Sequence, residues 1–155
     1  MLFVTAALAL AAAGSAPRTA PTAQRVIEAG RVQLEAELDA LEARAKAENW
    51  RGPSTREGKR TVDHAFDGAG RLWMLCAMAA AERLAKNLPS ADAAADAAVD
   101  ACVAFESDFR RASALGYREM GASDPDRRSE LVRRDARIAL RRIIGGMAGQ
   151  GAGNR

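Results

Sequence analysis

The stretch CAMAAAERLAKNLPSADAAADAAVDAC, residues 76–102, decides the fold, because it places one proline midway between two cysteines. Pro89 ends a helix since its ring removes a backbone donor, and Ser90 is a suitable cap for the next helix. The stretch therefore predicts two antiparallel helices that turn at Pro89. Cys76 and Cys102 each stand 13 residues from that proline, and a rise of about 1.5 Å per residue puts them at the same height.

The two cysteines, Cys76 and Cys102, are predicted to form a disulfide. Both fall on the apolar faces that meet in the hairpin, and the surrounding alanines allow the helices to approach to within bridging distance. Closing a loop of about 25 residues contributes about 3–4 kcal/mol in the chain-entropy treatment. In a reducing compartment the alternative holds, and both residues are small buried hydrophobes.

Apolar residues recur with helical spacing on both sides of the hairpin and predict four helices. The predicted helices span residues 22–49, 61–87, 91–120 and 125–147. Thr22 and Asp124 are predicted N-caps, with Pro125 at the first helical position, and Gly121 suits the end of the third helix. No alternating β-branched run appears, so the predicted fold class is all-α: a four-helix antiparallel bundle or a pair of helical hairpins.

One face of each helix is predicted to form the core. The first helix offers Ile27, Leu34, Leu38, Leu41 and Ala45. The third helix is expected to bury Val103 together with Phe105 and Phe109. The fourth helix is expected to bury Val132, Ala136, Ala139, Leu140, Ile143 and Met147, which share one arc of a helical wheel.

The N-terminus has the composition of an export signal. Residues 2–13 are apolar and are followed by small residues, as in the h-region and cleavage zone of a signal peptide. This run, like every other in the chain, is too short for a transmembrane helix, which needs about 20 residues. We expect a signal peptide and linker over residues 1–21, one helical domain over 22–148 and a flexible Gly-rich tail over 149–155. The expected location is periplasmic or secreted, and the alternative is a cytoplasmic protein.

The segment over residues 72–114 resembles a group of small exported proteins. Its pattern is Cys76, an Ala/Arg-rich turn of helix, Pro89-Ser90-Ala91, and Ala97-Ala98 leading to Cys102. It is similar to uncharacterised Ala/Arg-rich helical proteins of GC-rich bacteria that carry one cysteine on each arm of a helical hairpin. The resemblance implies export and a disulfide, and it brings no activity or catalytic residue with it.

The residues do not point to an enzyme. His64 is the only histidine, and with Asp63 and Asp67 it offers too few ligands for a metal site. No serine stands in a Gly-x-Ser-x-Gly turn, and no glycine motif matches a phosphate or dinucleotide loop. We therefore predict a solvated or capping His64, no cofactor, no metal and no catalytic residue. The alternative is an enzyme centred on His64.

Acidic and basic residues are concentrated in different helices. Asp92, Asp96 and Asp100 recur every four residues, and they are expected on a solvated face or paired with Arg83 or with the last helix. The net charge of +3 is too small for the whole chain to act as a polycation.

The last predicted helix carries a basic face. Its candidate contact residues are Arg127, Arg134, Arg137 and Arg141. Leu131 and Ile138 project into the same face, as in a helix that contacts a partner. We expect these arginines to be solvated or paired within the chain, or to contact a protein partner or an anionic surface. The alternative is a cytosolic protein that binds nucleic acid through residues 125–147, although an exported protein rarely meets nucleic acid.

The function expected from the sequence follows from these points. It is that of a non-enzymatic exported helical protein, structural or interacting, stabilised by a bond between Cys76 and Cys102.

Overall fold

In the computed structural model, residues 22–50 and 56–152 are described, and they form five α-helices without a strand. The helices are α1 (Ala23–Ala47), α2 (Arg56–Leu84), α3 (Ala91–Asp100), α4 (Val103–Glu119) and α5 (Pro125–Ala152). The prediction of an all-α helical bundle is confirmed. The predicted signal peptide and linker over residues 1–21 lie outside the described residues.

The second helix lies at the centre of the bundle. α2 packs against α1, α3, α4 and α5, and α5 packs against α3 and α4. The core between them combines a few large side chains, such as Leu38, Trp73 and Leu115, with buried alanines such as Ala77 and Ala98. Because alanine side chains are small, they allow the backbones of α2 and α3 to approach closely. The first-helix core prediction, from Ile27 to Ala45, is confirmed in full.

The helix ends use the capping residues of the sequence, with one exception. Ser90 Oγ accepts the Ala93 N–H at 3.1 Å, and Asp124 Oδ1 accepts the Arg127 N–H at 3.1 Å. Gly121 has a φ of 71°, so the chain leaves α4 through a left-handed residue. Thr22 makes no side-chain cap hydrogen bond, and only its carbonyl accepts the Val26 N–H. Thr22 thus occupies the predicted N-cap position of α1, without a side-chain hydrogen bond.

The third predicted helix is divided into α3 and α4, which corrects the count of four helices to five among the described residues. The Cys102 N–H donates to the Val99 carbonyl, three residues back, and this tighter turn bends the chain. After the bend α4 packs against α1 as well as α2 and α5. Val103 was predicted to be buried, but it is the first residue of α4 after the bend and is 64% exposed.

Helix α5 differs from its prediction in its core face. Its buried and half-buried apolar positions follow four-residue steps, namely Val132, Ala136, Leu140 and Ile144. The predicted core face was wider and also included Ala139, Ile143 and Met147. These three residues are exposed.

The bounds of two helices also differ from the prediction. α5 continues to Ala152, past the Gly145-Gly146 pair and into the predicted tail. A Cβ at Gly145 would lie 3.0 Å from Asp92 Oδ1, so this glycine permits close packing of α5 on α3. α2 begins at Arg56 rather than near residue 61, so part of the predicted loop is helical.

Candidate functional site

The two cysteines meet at the depth that the sequence predicts. The Sγ atoms of Cys76 and Cys102 are 2.08 Å apart, which is disulfide distance, and their Cα atoms are 6.1 Å apart. Cys76 lies in α2, and Cys102 lies at the bend, where it is the N-cap residue of α4. The pair thus joins α2 to the junction of α3 and α4. The two sulfurs differ in environment, since Cys102 is 1% exposed whereas Cys76 is half-buried.

A cavity of about 120 Å³ lies beside the cysteine pair, between α1, α2 and the bend. Ile27, Ala79 and Phe105 form apolar parts of its wall. Polar groups are present as well, because the Arg83 guanidinium donates a hydrogen bond to Gln24 Oε1 and both residues line the cavity. The cavity therefore leads from the polar surface to the cysteine pair.

The arginines of α5 fall into two sets, and the first set faces the bundle. We call Arg133, Arg137 and Arg141 the inner arginines. Arg133 and Arg137 both donate to the carboxylate of Glu106, whose side chain is only 3% exposed. Arg137 also donates to Asp100, completing a link from α5 to α3 and α4.

Arg141 extends the same network along α3, from Asp100 back to Asp96. Its Nε lies 3.0 Å from Asp96 Oδ1, and its guanidinium lies 3.7 Å from Asp100. The prediction that these acids pair with the last helix is confirmed for Asp96 and Asp100. Of the four predicted contact residues, Arg137 and Arg141 are therefore engaged within the chain.

The second set of arginines faces away from the bundle. We call Arg127, Leu131, Arg134, Ile138 and Arg142 the outer stripe, because spacings of four and three residues place them on one face of α5. All five residues are exposed, including Leu131 at 45% and Ile138 at 43%. Arg127 and Arg142 make no ion pair with any residue in the described ranges, and Arg134 pairs only with its neighbour Asp135 at 3.6 Å. The outer stripe is thus both cationic and apolar.

A second buried carboxylate, Asp108, ties α4 to α1. Its Oδ2 accepts a hydrogen bond from Arg31 Nε at 2.8 Å, and Arg111 lies 3.9 Å from its Oδ1. Arg111 also binds Glu42 and Asp39 of α1 at 2.9 and 2.6 Å. Burial raises the pKa of Asp108, while the hydrogen bond from Arg31 opposes that rise.

Sequence reasoning missed the two buried acids, Glu106 and Asp108. The burial of Glu106 is visible in the sequence, because it stands four residues after Cys102 and three before Phe109. This spacing puts it on the same face of the helix as these two buried residues. A carboxylate on that line calls for a cationic partner, and the arginine-rich last helix supplies it.

His64 lies apart from these networks. Its side chain is 72% exposed, in agreement with a solvated histidine, and its Nδ1 is 3.9 Å from Glu37 Oε2. It borders a shallow cavity of about 240 Å³ between α1 and α2, together with Gln33 and Arg71. Across the described residues, no three His, Cys, Asp or Glu side chains come close enough together to hold a metal ion.

Two further findings concern the chain as a whole. None of the helices in the described ranges combines the length and the apolar character needed to cross a membrane. Comparison with known families, with curated proteins and with solved structures finds no match for this sequence. The resemblance to small exported helical proteins therefore stays a prediction.

Proposed function

We propose that this protein is an exported, non-enzymatic helical module that binds an anionic lipid surface through the outer stripe of α5. The observation that carries the proposal is the composition of that stripe, in which three exposed arginines alternate with two exposed aliphatic side chains. A helix of this kind can lie along a membrane interface, with its guanidinium groups at the headgroups and its apolar side chains below them.

The expected energies are sufficient for reversible binding. Each basic residue close to an anionic bilayer contributes about 1 kcal/mol, so Arg127, Arg134 and Arg142 contribute about 3 kcal/mol together. Leu131 and Ile138 each add roughly 1 kcal/mol when their exposed surface leaves water. Both terms are needed, because either alone gives only weak attachment.

The inner arginines support this function by fixing the orientation of α5. Arg137 and Arg141 are bound to Glu106, Asp96 and Asp100, which holds the opposite face of the helix against α3 and α4. The outer stripe is therefore presented on a rigid bundle rather than on a free helix, which lowers the entropy lost on binding.

The cytosolic alternative, binding of nucleic acid through residues 125–147, is less well supported. The outer stripe has no aromatic residue for base stacking, and its aliphatic side chains are of no use against a phosphate backbone. The cysteine pair at disulfide distance is weak support for an oxidising compartment, where nucleic acid is rare. Tight binding to duplex DNA in the test below would favour this alternative.

The direct test is co-sedimentation of the oxidised protein with vesicles. We expect binding to vesicles of equal parts phosphatidylglycerol and phosphatidylcholine, and none to phosphatidylcholine alone. Replacing Arg127, Arg134 and Arg142 together by Ala should weaken binding by about 3 kcal/mol, or roughly 150-fold. The matched control replaces Arg25, Arg56 and Arg60, which are exposed on α1 and α2, and it changes the net charge equally.

Three results would overturn the proposal. The first is equal loss of binding in the control variant, which would reduce the effect to net charge. The second is tight binding to duplex DNA that survives replacement of Leu131 and Ile138 by Ser, since the apolar residues would then have no part. The third, for the export part, is an unprocessed N-terminus together with reduced cysteines after expression in a secreting host.

A further inference from the structure

We propose that the bond between Cys76 and Cys102 exchanges with aliphatic thiols by attack at Cys76 in preference to Cys102. An incoming thiolate attacks Sγ of Cys76, and Cys102 is the sulfur that leaves. The exchange involves only the cysteine pair and is independent of the lipid-binding function proposed for α5.

The exposure of the two sulfurs decides which one is attacked. A thiolate must reach the sulfur from the side opposite the bond that breaks, so access to that sulfur limits the rate. Cys102 is 1% exposed, whereas Cys76 is half-buried. Cys76 is therefore the more accessible of the two residues, and attack on Cys102 requires the larger opening of the bundle.

The adjoining cavity provides the approach. Its volume of about 120 Å³ suits the end of a small thiol, and its apolar wall is formed by Ile27, Ala79 and Phe105. Cys76 and Cys102 both line it, so the cavity gives access to the pair, and the exposure of the two residues distinguishes between them. Arg83 and Glu28 also line it, so charges of both signs are available to the polar part of a zwitterionic thiol such as glutathione.

The position of Cys102 favours its departure. It is the N-cap residue of the 17-residue helix α4, and its side chain makes no cap hydrogen bond. Amides in the first turn of a helix lack intrahelical partners, and the helix dipole stabilises negative charge there. Cys76 lies inside α2 and has no such stabilisation. The thiolate is therefore better placed on Cys102 than on Cys76.

The chemistry balances with the thiol as the only co-reactant. The thiolate sulfur forms a bond to Sγ of Cys76, the bond between the two cysteines breaks, and its electron pair stays on Sγ of Cys102. A second thiolate can then attack the external sulfur of the mixed disulfide and release Cys76 as a thiolate. Two small thiols are oxidised to their disulfide, and the protein pair is reduced.

Peptide mapping of the trapped intermediate tests the direction. The oxidised full chain is treated briefly with glutathione and then quenched with acid and an alkylating agent. Trypsin places Cys76 in the peptide of residues 72–83 and Cys102 in the peptide of residues 87–110. We expect glutathione on the first peptide and the alkyl group on the second, in excess over the reverse by roughly tenfold or more. Equal labelling, or glutathione on Cys102, would overturn the proposal.

A cavity-filling variant tests the route. Ala79→Leu should slow exchange roughly tenfold, because the larger side chain occupies the approach to Cys76. The matched control is Ala139→Leu, which makes the same change on the exposed face of α5. If exchange instead follows the urea dependence of global unfolding and is equal in both variants, the reaction proceeds through the unfolded chain and the proposal is wrong. Should the Ala79 variant fail to fold, the mapping result on the wild type still decides.

Discussion

On a single helix, α5, Arg133, Arg137 and Arg141 face α3 and α4, whereas Arg127, Arg134 and Arg142 face solvent. The inner set pairs with carboxylates, among them one that is almost fully buried, whereas the outer set is exposed and shares its face with two exposed aliphatic side chains. Residue type and helical propensity are the same in both sets. One arginine-rich helix thus has one face fixed to the bundle by ion pairs and an opposite face that is left exposed.

The largest expected effect comes from breaking the inner side. Replacing Arg133 and Arg137 together by Ala leaves the Glu106 carboxylate buried without a partner, which should lower the free energy of unfolding by about 3–5 kcal/mol. Urea unfolding with the oxidised protein measures this loss. The control is the same double replacement in a Glu106→Gln background, where the loss should be clearly smaller. An equal loss in both backgrounds would show that the carboxylate is not the reason.

Removing the cysteine pair should destabilise the protein about as much as removing the arginine partners of Glu106. Replacing Cys76 and Cys102 by Ala should lower the free energy of unfolding by about 3.5 kcal/mol, because the bond closes a loop over a sequence separation of 26 residues. Reduction of the wild type should lower the free energy of unfolding by a similar amount, measured by urea unfolding. A loss below about 1 kcal/mol in both measurements would mean that packing alone holds the hairpin together.

Gly145 and Gly146 allow a comparison of the packed and the exposed side of α5, with smaller expected changes in stability. A Cβ at Gly146 meets no atom within 4 Å, so Gly146→Ala should stabilise the protein by about 0.5–1 kcal/mol through helix propensity. At Gly145 the new Cβ lies 3.0 Å from Asp92 Oδ1, so Gly145→Ala should gain less. Thermal unfolding of the two variants compares them, and an equal gain would contradict close packing of α3 on α5.

The smallest expected effect is on the outer side. Arg134→Ala removes only a contact with the neighbouring Asp135 between two largely exposed side chains, so the free energy of unfolding should change by less than about 0.5 kcal/mol. The measurement is urea unfolding beside the inner variants. A loss as large as theirs would remove the distinction between the two sets of arginines.

The helical fold and the cysteine pairing could be predicted from the sequence because both depend on local spacing. Apolar residues of α1 repeat on one face, and Cys76 and Cys102 stand at equal distances from Pro89. Ser90 and Asp124 could be recognised as N-caps because serine and aspartate are preferred at that position. The periodicity and capping signals lie within a few turns of one another, and the cysteine pairing needs only that the chain turns back at Pro89.

The bend at Cys102 and the choice of arginine partners for Glu106 could not be predicted in the same way. Both depend on contacts between helices that are distant in sequence, namely α4 with α1 and α4 with α5. A periodicity that continues through residues 91–120 cannot show that the chain turns in its middle. Nor can it tell which of the arginines of α5 will find a carboxylate and which will stay in solvent.

The bond between Cys76 and Cys102 encloses the turn over residues 85–90 within a covalent ring. Lys86 is exposed in that turn, where a trypsin-like protease can reach it. A single cut there opens the polypeptide but separates nothing, and the two fragments migrate as one species until a reductant is added. An exported form of the protein could thus be nicked at this exposed turn and keep its helices assembled.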